Sequence, residues 1–499
     1  MVDTLTLQGC RLLPEPGQQP GPPMDMEIHA GRIRALRPAG ETEPAGSGLD
    51  ARGLLAAPGL INGHHHSHEH FHKGRYDRLP LELWMNYVRP PEPLPLTPRQ
   101  VYLRTLIGAM EALRSGTTTL VDDLNVSPLL DLDHVAAVYR AYEDSGIRAL
   151  VGPSLFDRPF YRALPFVDEE LPRELLAEWG RRPATPPAEV LALVEDLARE
   201  RHPARSRVGV IAAPSAPQRC SREFLLQVRD LADRHGLPLI THVHETRLQA
   251  VTAQQFYGKT MIAYLDDLGF LKPATSLIHG VWLTPDDIER LARSGASVQH
   301  NPTSNLKLGS GLAPLQTLLD AGVNVSLGSD GCGSTETLNM HTVMGDCALV
   351  HKLRGDDFRQ WPGAEEAHGA ATLGGARALG REHDLGRLAV GYRADIALYR
   401  LDRPPFLPLN APLRQRVYAE TGASLDTLLV DGEVVMRDAR LTRLDEAALA
   451  AEIHAEHARL VPHLERAETL VAQLAPAYER IYRRCLGEAV APRTHPARL

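Results

Sequence analysis

The chain has 499 residues, 43% of them hydrophobic, enough to bury a large core either as one big barrel with an accessory domain or as two to three ordinary domains. Its formal net charge of -8 arises from 54 basic and 62 acidic residues interspersed along the sequence, which provides neither a polycationic surface for nucleic acid nor a basic stripe for a membrane and points to a small-molecule substrate. The start Met1-Val2-Asp3-Thr4 has no charged-then-apolar signal pattern, no apolar run reaches the roughly 18 residues of a membrane span, and the five scattered cysteines (Cys10, Cys220, Cys332, Cys347, Cys485) form no CxxC pair; a cytoplasmic protein is expected, with any metal held by nitrogen and oxygen.

Taken in chain order, residues 1–53 read as β-sheet pieces, such as Met26–Ile28 before Ala30-Gly31-Arg32, with Pro14–Pro23 as an exposed loop. Between about residues 55 and 385, eight short apolar runs follow one another: Leu54–Asn62, Thr117–Leu124, Arg148–Leu155, Val208–Ser215, Leu237–Glu245, Thr275–Val281, Ala296–Pro302 and Val323–Asp330. Helix-like stretches separate them, and Gly116, Gly146, Gly236, Gly295 and Gly322 stand just ahead of five, suited to closing a helix in the left-handed conformation. Strands alternating with helices mean parallel βαβ units, and eight units close an α/β (β/α)8 TIM barrel over residues 54–385. An open doubly wound sheet would need a glycine-rich phosphate loop after its first strand, where this chain has histidines. Residues 386–443 return to alternating runs, with Thr427–Val430 before the hairpin signal Asp431-Gly432-Glu433, so the two flanks are expected to assemble one small β-sandwich domain. The segment 444–499 reads as a C-terminal helical extension, Asp445–Leu460 and Pro462–Cys485, followed by a loose proline-rich tail, Ala489–Leu499.

In such a barrel the functional side chains sit at the C-terminal ends of the strands. Here those ends read Asn62-Gly63-His64-His65-His66, His242-Val243-His244-Glu245, His279-Gly280, His300-Asn301-Pro302 and Ser329-Asp330-Gly331. Residues two apart on a strand face one side, so His64 and His66 can reach one ion while His65 points away, and His242 and Asp330 would converge from across the mouth. Three nitrogens and an oxygen suit one divalent metal per chain, Zn2+ first, with Fe2+ or Mn2+ compatible by ligand type, and an open position for water would make the site catalytic. His68, His70 and His72 continue the first cluster and are given no role, a solvated loop being the plain reading of a histidine tract; Asp122 and Asp123 suit helix capping or support of the ligands.

These residues resemble the amidohydrolase superfamily, in its branch of S-adenosylhomocysteine/methylthioadenosine deaminases, guanine deaminases and triazine hydrolases. The likeness runs through Pro58-Gly59-Leu60-Ile61-Asn62 before His64 and His66, Leu79-Pro80-Leu81-Glu82-Leu83-Trp84, Arg114-Ser115-Gly116-Thr117-Thr118-Thr119, His242-Val243-His244-Glu245-Thr246, His300 through Gly311, Gly328-Ser329-Asp330-Gly331 and Gly386 through Asp395. It implies that His64, His66, His242 and Asp330 are metal ligands, that Glu245 protonates the ring nitrogen, that His279 orients the attacking water, and that Asp330 relays a proton to the leaving amine. Strand four ends without the lysine that carries a bridging carbamate in binuclear members, so a single metal is implied. The implied activity is hydrolytic deamination of a small aminated heterocycle or cyclic amidine by a metal-bound hydroxide. The alternatives are displacement of alkylamine or chloride as in triazine hydrolases, a formimino or guanidino hydrolase, and a scaffold that has lost its ligands, which the intact ligand set disfavours.

Two departures bear on the substrate. Strand four ends Ala213-Pro214-Ser215-Ala216-Pro217, without the histidine of the nucleoside-type deaminases, and His244 stands where a small residue is usual. Ser215 and His244 are therefore expected at the edge of the substrate ring, Trp84 over its face, and the stretch Phe156–Phe166 with Asp157, Arg158, Phe160 and Tyr161 on the opposite wall. A homodimer or higher homo-oligomer is expected.

Overall fold

The structure, a computed structural model, describes residues 4–14, 20–41 and 46–494. Residues 15–19 of the expected Pro14–Pro23 loop and the last five residues of the tail lie outside them.

The eight parallel barrel strands are Leu60–His65, Thr117–Leu124, Arg148–Leu155, Val208–Val210 continuing as Ala213–Pro214, Leu239–Val243, Thr275–His279, Ser297–His300 and Val325–Leu327. Strand four joins strand five through an isolated bridge, Ala212 to Leu239, and the ring closes where the Asp330 N–H donates to the His64 carbonyl at 2.9 Å. Ile61, Val121, Leu150, Ile211, Ile240 and Ile278 fill the interior, while their neighbours Leu60, Leu120, Val151, Leu239 and Leu277 pack outward under the helices. This alternation is what period-two strands buried on both faces require.

The run Leu54–Asn62 divides into two strands. Leu54–Pro58 pairs antiparallel with Ile396–Arg400 in a terminal sheet, and Leu60–His65 begins the barrel. The hinge is Gly59, where any Cβ would lie 2.3 Å from the Thr118 side chain. The terminal sheet has nine strands drawn from both ends of the chain, and the predicted sandwich segments meet in it side by side as a continuous hydrogen-bonded path. Arg148, at the start of barrel strand three, is buried and forms short ion pairs with Asp395 and Asp431, locking barrel to sheet.

The C-terminal extension is one helix, Glu446–Gly487, rather than two. Pro462 and Pro476 lie inside it, and Leu460, Leu464, Val471, Tyr478 and Ile481 are buried along its length, so packing holds the helix across the hydrogen bonds that the prolines lack. Its last turns pack on Leu164, Val167 and Leu176, in the segment after strand three, and on Leu248 and Val251. The tail is not loose as far as it is described: Arg493 lies over the Trp282 ring at 4.3 Å and the Thr494 N–H donates to the Leu283 carbonyl at 2.9 Å. Among the described residues no helix is long and apolar enough to cross a membrane, and all five cysteines are unpaired and buried.

Candidate functional site

At the C-terminal mouth of the barrel the strand ends bring His64, His66, His242, His279, Glu245 and Asp330 together. His64 Nε2 and His66 Nε2 each lie 3.4 Å from Asp330 Oδ1, and the His242 ring centroid is 4.9 Å from that of His64. A bulge in strand one sets Gly63 and His64 against the single residue Val121 of strand two, so that Ile61 below and His64 above both face inward. His279 ends strand six and Asp330 follows strand eight, with φ of +78° and +67°, a left-handed turn that aims both side chains back over the mouth.

The polar surroundings leave one nitrogen free on the His66 and His242 imidazoles. His66 Nδ1 is held by the Asp123 carbonyl at 2.8 Å and His242 Nδ1 by the Ser215 carbonyl at 2.7 Å, so each directs Nε2 at the centre. Both His64 nitrogens are buried with no hydrogen-bond partner. Burial holds His66 and His242 well below the ordinary imidazole range and His279 down to about 4, so all three are neutral. Burial alone would raise Asp330, but the imidazoles of His64, His279 and His66 packed against it hold its carboxyl well below the usual range. Neutral imidazoles around an ionised carboxylate are the protonation state a divalent cation needs, and the orphaned His64 nitrogens fit one.

Glu245 Oε2 lies 3.5 Å from His279 Nε2, while Glu245 Oε1 is buried without a partner. Burial pushes Glu245 well above the usual carboxylate range, and the charges of Asp330, Glu82 and Glu69 act in the same direction. His279 Nδ1 pairs with Asn305 Oδ1 at 2.9 Å, which assigns the proton to Nδ1 and leaves Nε2 as an acceptor. The Ser304 hydroxyl donates to Asp330 Oδ2 at 2.5 Å. A cavity of about 60 Å³ over this group is lined by Trp84, Ser215, His242, Glu245, His279 and Asp330, among others.

Trp84 and Ser215 thus stand in the wall, the Trp84 indole N–H donating to the Gly333 carbonyl at 3.1 Å. His244 does not. Its φ of +52° turns the ring out of the mouth, where Nε2 accepts the Met261 N–H at 2.9 Å, so this residue supports the helix Met261–Asp267 instead of the ring edge. Of the stretch after strand three, Phe160 reaches the cavity, whereas Asp157 accepts the Ser221 N–H at 2.7 Å and Arg158 donates to the Gln218 carbonyl at 3.0 Å. The segment Ser67–His72 is a buried 3₁₀ turn rather than a solvated loop, with His70 fitted against Gly108. His300 faces outward, its Nε2 3.0 Å from His351 Nε2.

The sequence reading missed Glu69, Glu82, Arg89 and Arg219, which also line the cavity. The signal for Glu69 is Gly331, where a Cβ would come 1.9 Å from the Glu69 carboxylate, so the bare backbone marks a close approach. Asp122 accepts the Ser67 N–H at 2.9 Å and the Tyr142 hydroxyl at 2.9 Å, and Asp123 Oδ2 stands 3.6 Å behind His242 Nδ1; neither caps a helix.

Comparison with known proteins gives a match of residues 55–435 to the model of the amidohydrolase family. The chain is similar to a 5-methylthioadenosine/S-adenosylhomocysteine deaminase of Nitratidesulfovibrio vulgaris, 37% identical over 81% of this chain and 85% of the relative. It is similar to a 5'-deoxyadenosine deaminase of Methanothermobacter thermautotrophicus, 36% identical over 80% and 86%. Among solved structures it resembles a zinc-bound adenosine deaminase of Xanthomonas campestris, with a TM-score of 0.80 and 29% identity over 91% of this chain and 98% of that one.

Proposed function

The chain belongs to the amidohydrolase family and is a hydrolase acting on carbon–nitrogen bonds, and from that premise we propose that it hydrolytically deaminates an aminated heterocycle or cyclic amidine, using one divalent cation held by His64, His66, His242 and Asp330. The observation that carries the reading is the meeting of these donors, one of them from a buried histidine neither of whose nitrogens has a hydrogen-bond partner, with a buried carboxyl across the cavity. Zinc is the preferred ion, in keeping with the zinc-bound adenosine deaminase that the fold resembles. A cation bound there would act as a Lewis acid and bring the pKa of a water to about 7.

The proton traffic follows from the side chains. Asp330, ionised and anchored by Ser304, accepts one proton of the water and delivers it to the departing amine. Glu245, kept protonated by burial, gives its proton to the ring nitrogen as the water oxygen adds to the adjacent carbon, and regains one from the new hydroxyl as the carbonyl forms and ammonia leaves. Neutral His279 accepts a hydrogen bond at Nε2 and fixes the water's approach, while Trp84 covers the ring. The relatives' names specify adenine nucleosides; Ser215, bonded to Arg219, gives this wall a different chemistry from the histidine of the nucleoside-type enzymes. Metal analysis with an ammonia-release screen over adenine nucleosides, aminopyrimidines, pterins and aminotriazines tests the reading. Release of alkylamine or chloride in place of ammonia would replace it with the displacement reaction, and no release by metal-loaded protein would refute it.

A further inference from the structure

Beside the small cavity lies a larger one of about 580 Å³, and the two share Arg89, Arg219 and Phe160 in their walls. Arg219 is 7% exposed and sits in the turn after strand four, its guanidinium 3.8 Å above the Phe156 ring and one Nη donating to Ser215 Oγ at 3.0 Å. Arg89 follows the helix Leu81–Val88, and its Nε is buried without a partner, as is that of Arg219. Arg104, 8% exposed in the wall of the larger cavity, also has an orphaned Nε. None of the three forms an ion pair among the described residues.

Buried arginines are normally paired, because a desolvated cation without a counter-ion is strongly unfavourable. Carboxylates do line the small cavity, but Glu82 accepts the Thr246 hydroxyl, Glu69 accepts the Gly333 N–H, and Glu245 and Asp330 are turned to the mouth centre. Asp131, in the larger cavity, caps the helix Leu132–Ser145. Arg182 differs from the three, since Glu178 pairs with it at 2.8 Å. Arg89, itself half-buried, gives Arg219 no relief: burial pushes Arg219 down to about 9, and the Arg89 charge works in the same direction.

Resting on the deaminase reading, we infer that the substrate carries a carboxylate on its ring, or a bond or two from it, and that Arg219 and Arg89 receive that group at the junction of the two cavities. The placement sets the distance. Ser215 holds the His242 imidazole with its carbonyl and the Arg219 guanidinium with its hydroxyl, so one residue separates the proposed metal site from the cation. The planar guanidinium fork matches a carboxylate with two parallel hydrogen bonds, and its backing by Phe156 holds the plane in place. An uncharged ring would leave both cations unpaired when bound.

The test is calorimetric binding of matched probes to metal-loaded protein: aminopyrimidine carboxylates and the corresponding carboxamides, one pair for each ring position. For at least one pair the acid should bind about 10- to 100-fold tighter than the amide, the worth of charge-assisted hydrogen bonds. Arg219→Met should abolish that preference while leaving metal content unchanged, and should hold or raise Tm because it removes an unpaired buried charge. Equal affinity of acid and amide in every pair, no binding of any acid, or a preference that survives in the Arg219→Met, Arg89→Met double variant would overturn the inference, as would a fall in Tm with the preference intact. Ammonia release and metal content, measured on the same samples, report separately on the deaminase reading.

Discussion

Replacing Glu245 by glutamine isolates the proposed ring-protonation step. The carboxamide has nearly the volume of the carboxyl, and the site around it is closed, with Gln249 Nε2 at 3.5 Å and His279 Nε2 at 3.5 Å from Oε2. Packing is therefore preserved, and the amide, like the protonated acid it replaces, brings no charge beside Asp330, Glu82 and Glu69. What is lost is a transferable proton. General acid–base transfer contributes about 10²–10⁴ in rate, so at 1.36 kcal/mol per decade the barrier should rise by about 3–5 kcal/mol. Steady-state ammonia release, elemental analysis and a thermal melt on the same preparation should give a kcat at least about 100-fold lower, unchanged metal content and an unchanged or higher Tm. The pH profile adds a second readout. The acid form of Glu245 is the active one, so activity should be full below its raised pKa and fall as pH rises through it, and this alkaline limb should vanish in Glu245→Gln. A variant with wild-type kcat, or one that keeps the limb, would remove Glu245 from the mechanism.

The remaining predictions concern the metal, the pocket and the frame. Wild-type protein should hold about one equivalent of divalent metal, and His64→Ala less than about a tenth, because His64 is the donor with no other partner; two tightly held ions by elemental analysis would contradict the site as drawn. Trp84→Ala should raise KM by the factor that corresponds to about 1–3 kcal/mol without loss of metal, whereas a lower Tm with unchanged kcat/KM would leave Trp84 as packing for Leu81, Val88 and Leu308. Arg148→Met should destabilise the fold by about 3–5 kcal/mol in urea titrations, since Asp395 and Asp431 would be left buried without their cation; an unchanged midpoint would show that the ion pairs are not what joins barrel to sheet.

The eight barrel strands were legible because buried parallel strands are short apolar runs at a regular spacing, and because Gly146, Gly236 and Gly295 adopt the positive φ that closes the helices before them. His64 and His66 were legible for the same local reason, a two-residue period at a strand end. Other features depend on what packs against them. Nothing in the run Leu54–Asn62 says that its first half leaves the barrel; the pairing of Pro58 with Ile396 decides it. Pro462 reads as a helix boundary, yet the surface under the helix keeps it continuous. Arg89 and Arg219 are unremarkable in sequence and become neighbours only when the loops after strands one and four fold over the same cavity.

The sequence by itself determined which residue types crown each strand, and so the ligand chemistry available to the mouth. The tertiary structure decided where each of them points. His242 and His244 are two apart and by strand period should face the same way, but His244 takes a positive φ and turns to Met261, while His279 and Asp330 take positive φ and turn inward. For a non-glycine residue that conformation costs energy locally and persists only where surrounding contacts impose it, as the Asp330 N–H on His64 and the Asn305 amide on His279 do here. A left-handed residue held by partners on other elements leaves no mark in its own sequence neighbourhood, which is why the donor set could be read from the chain and its convergence only from the fold.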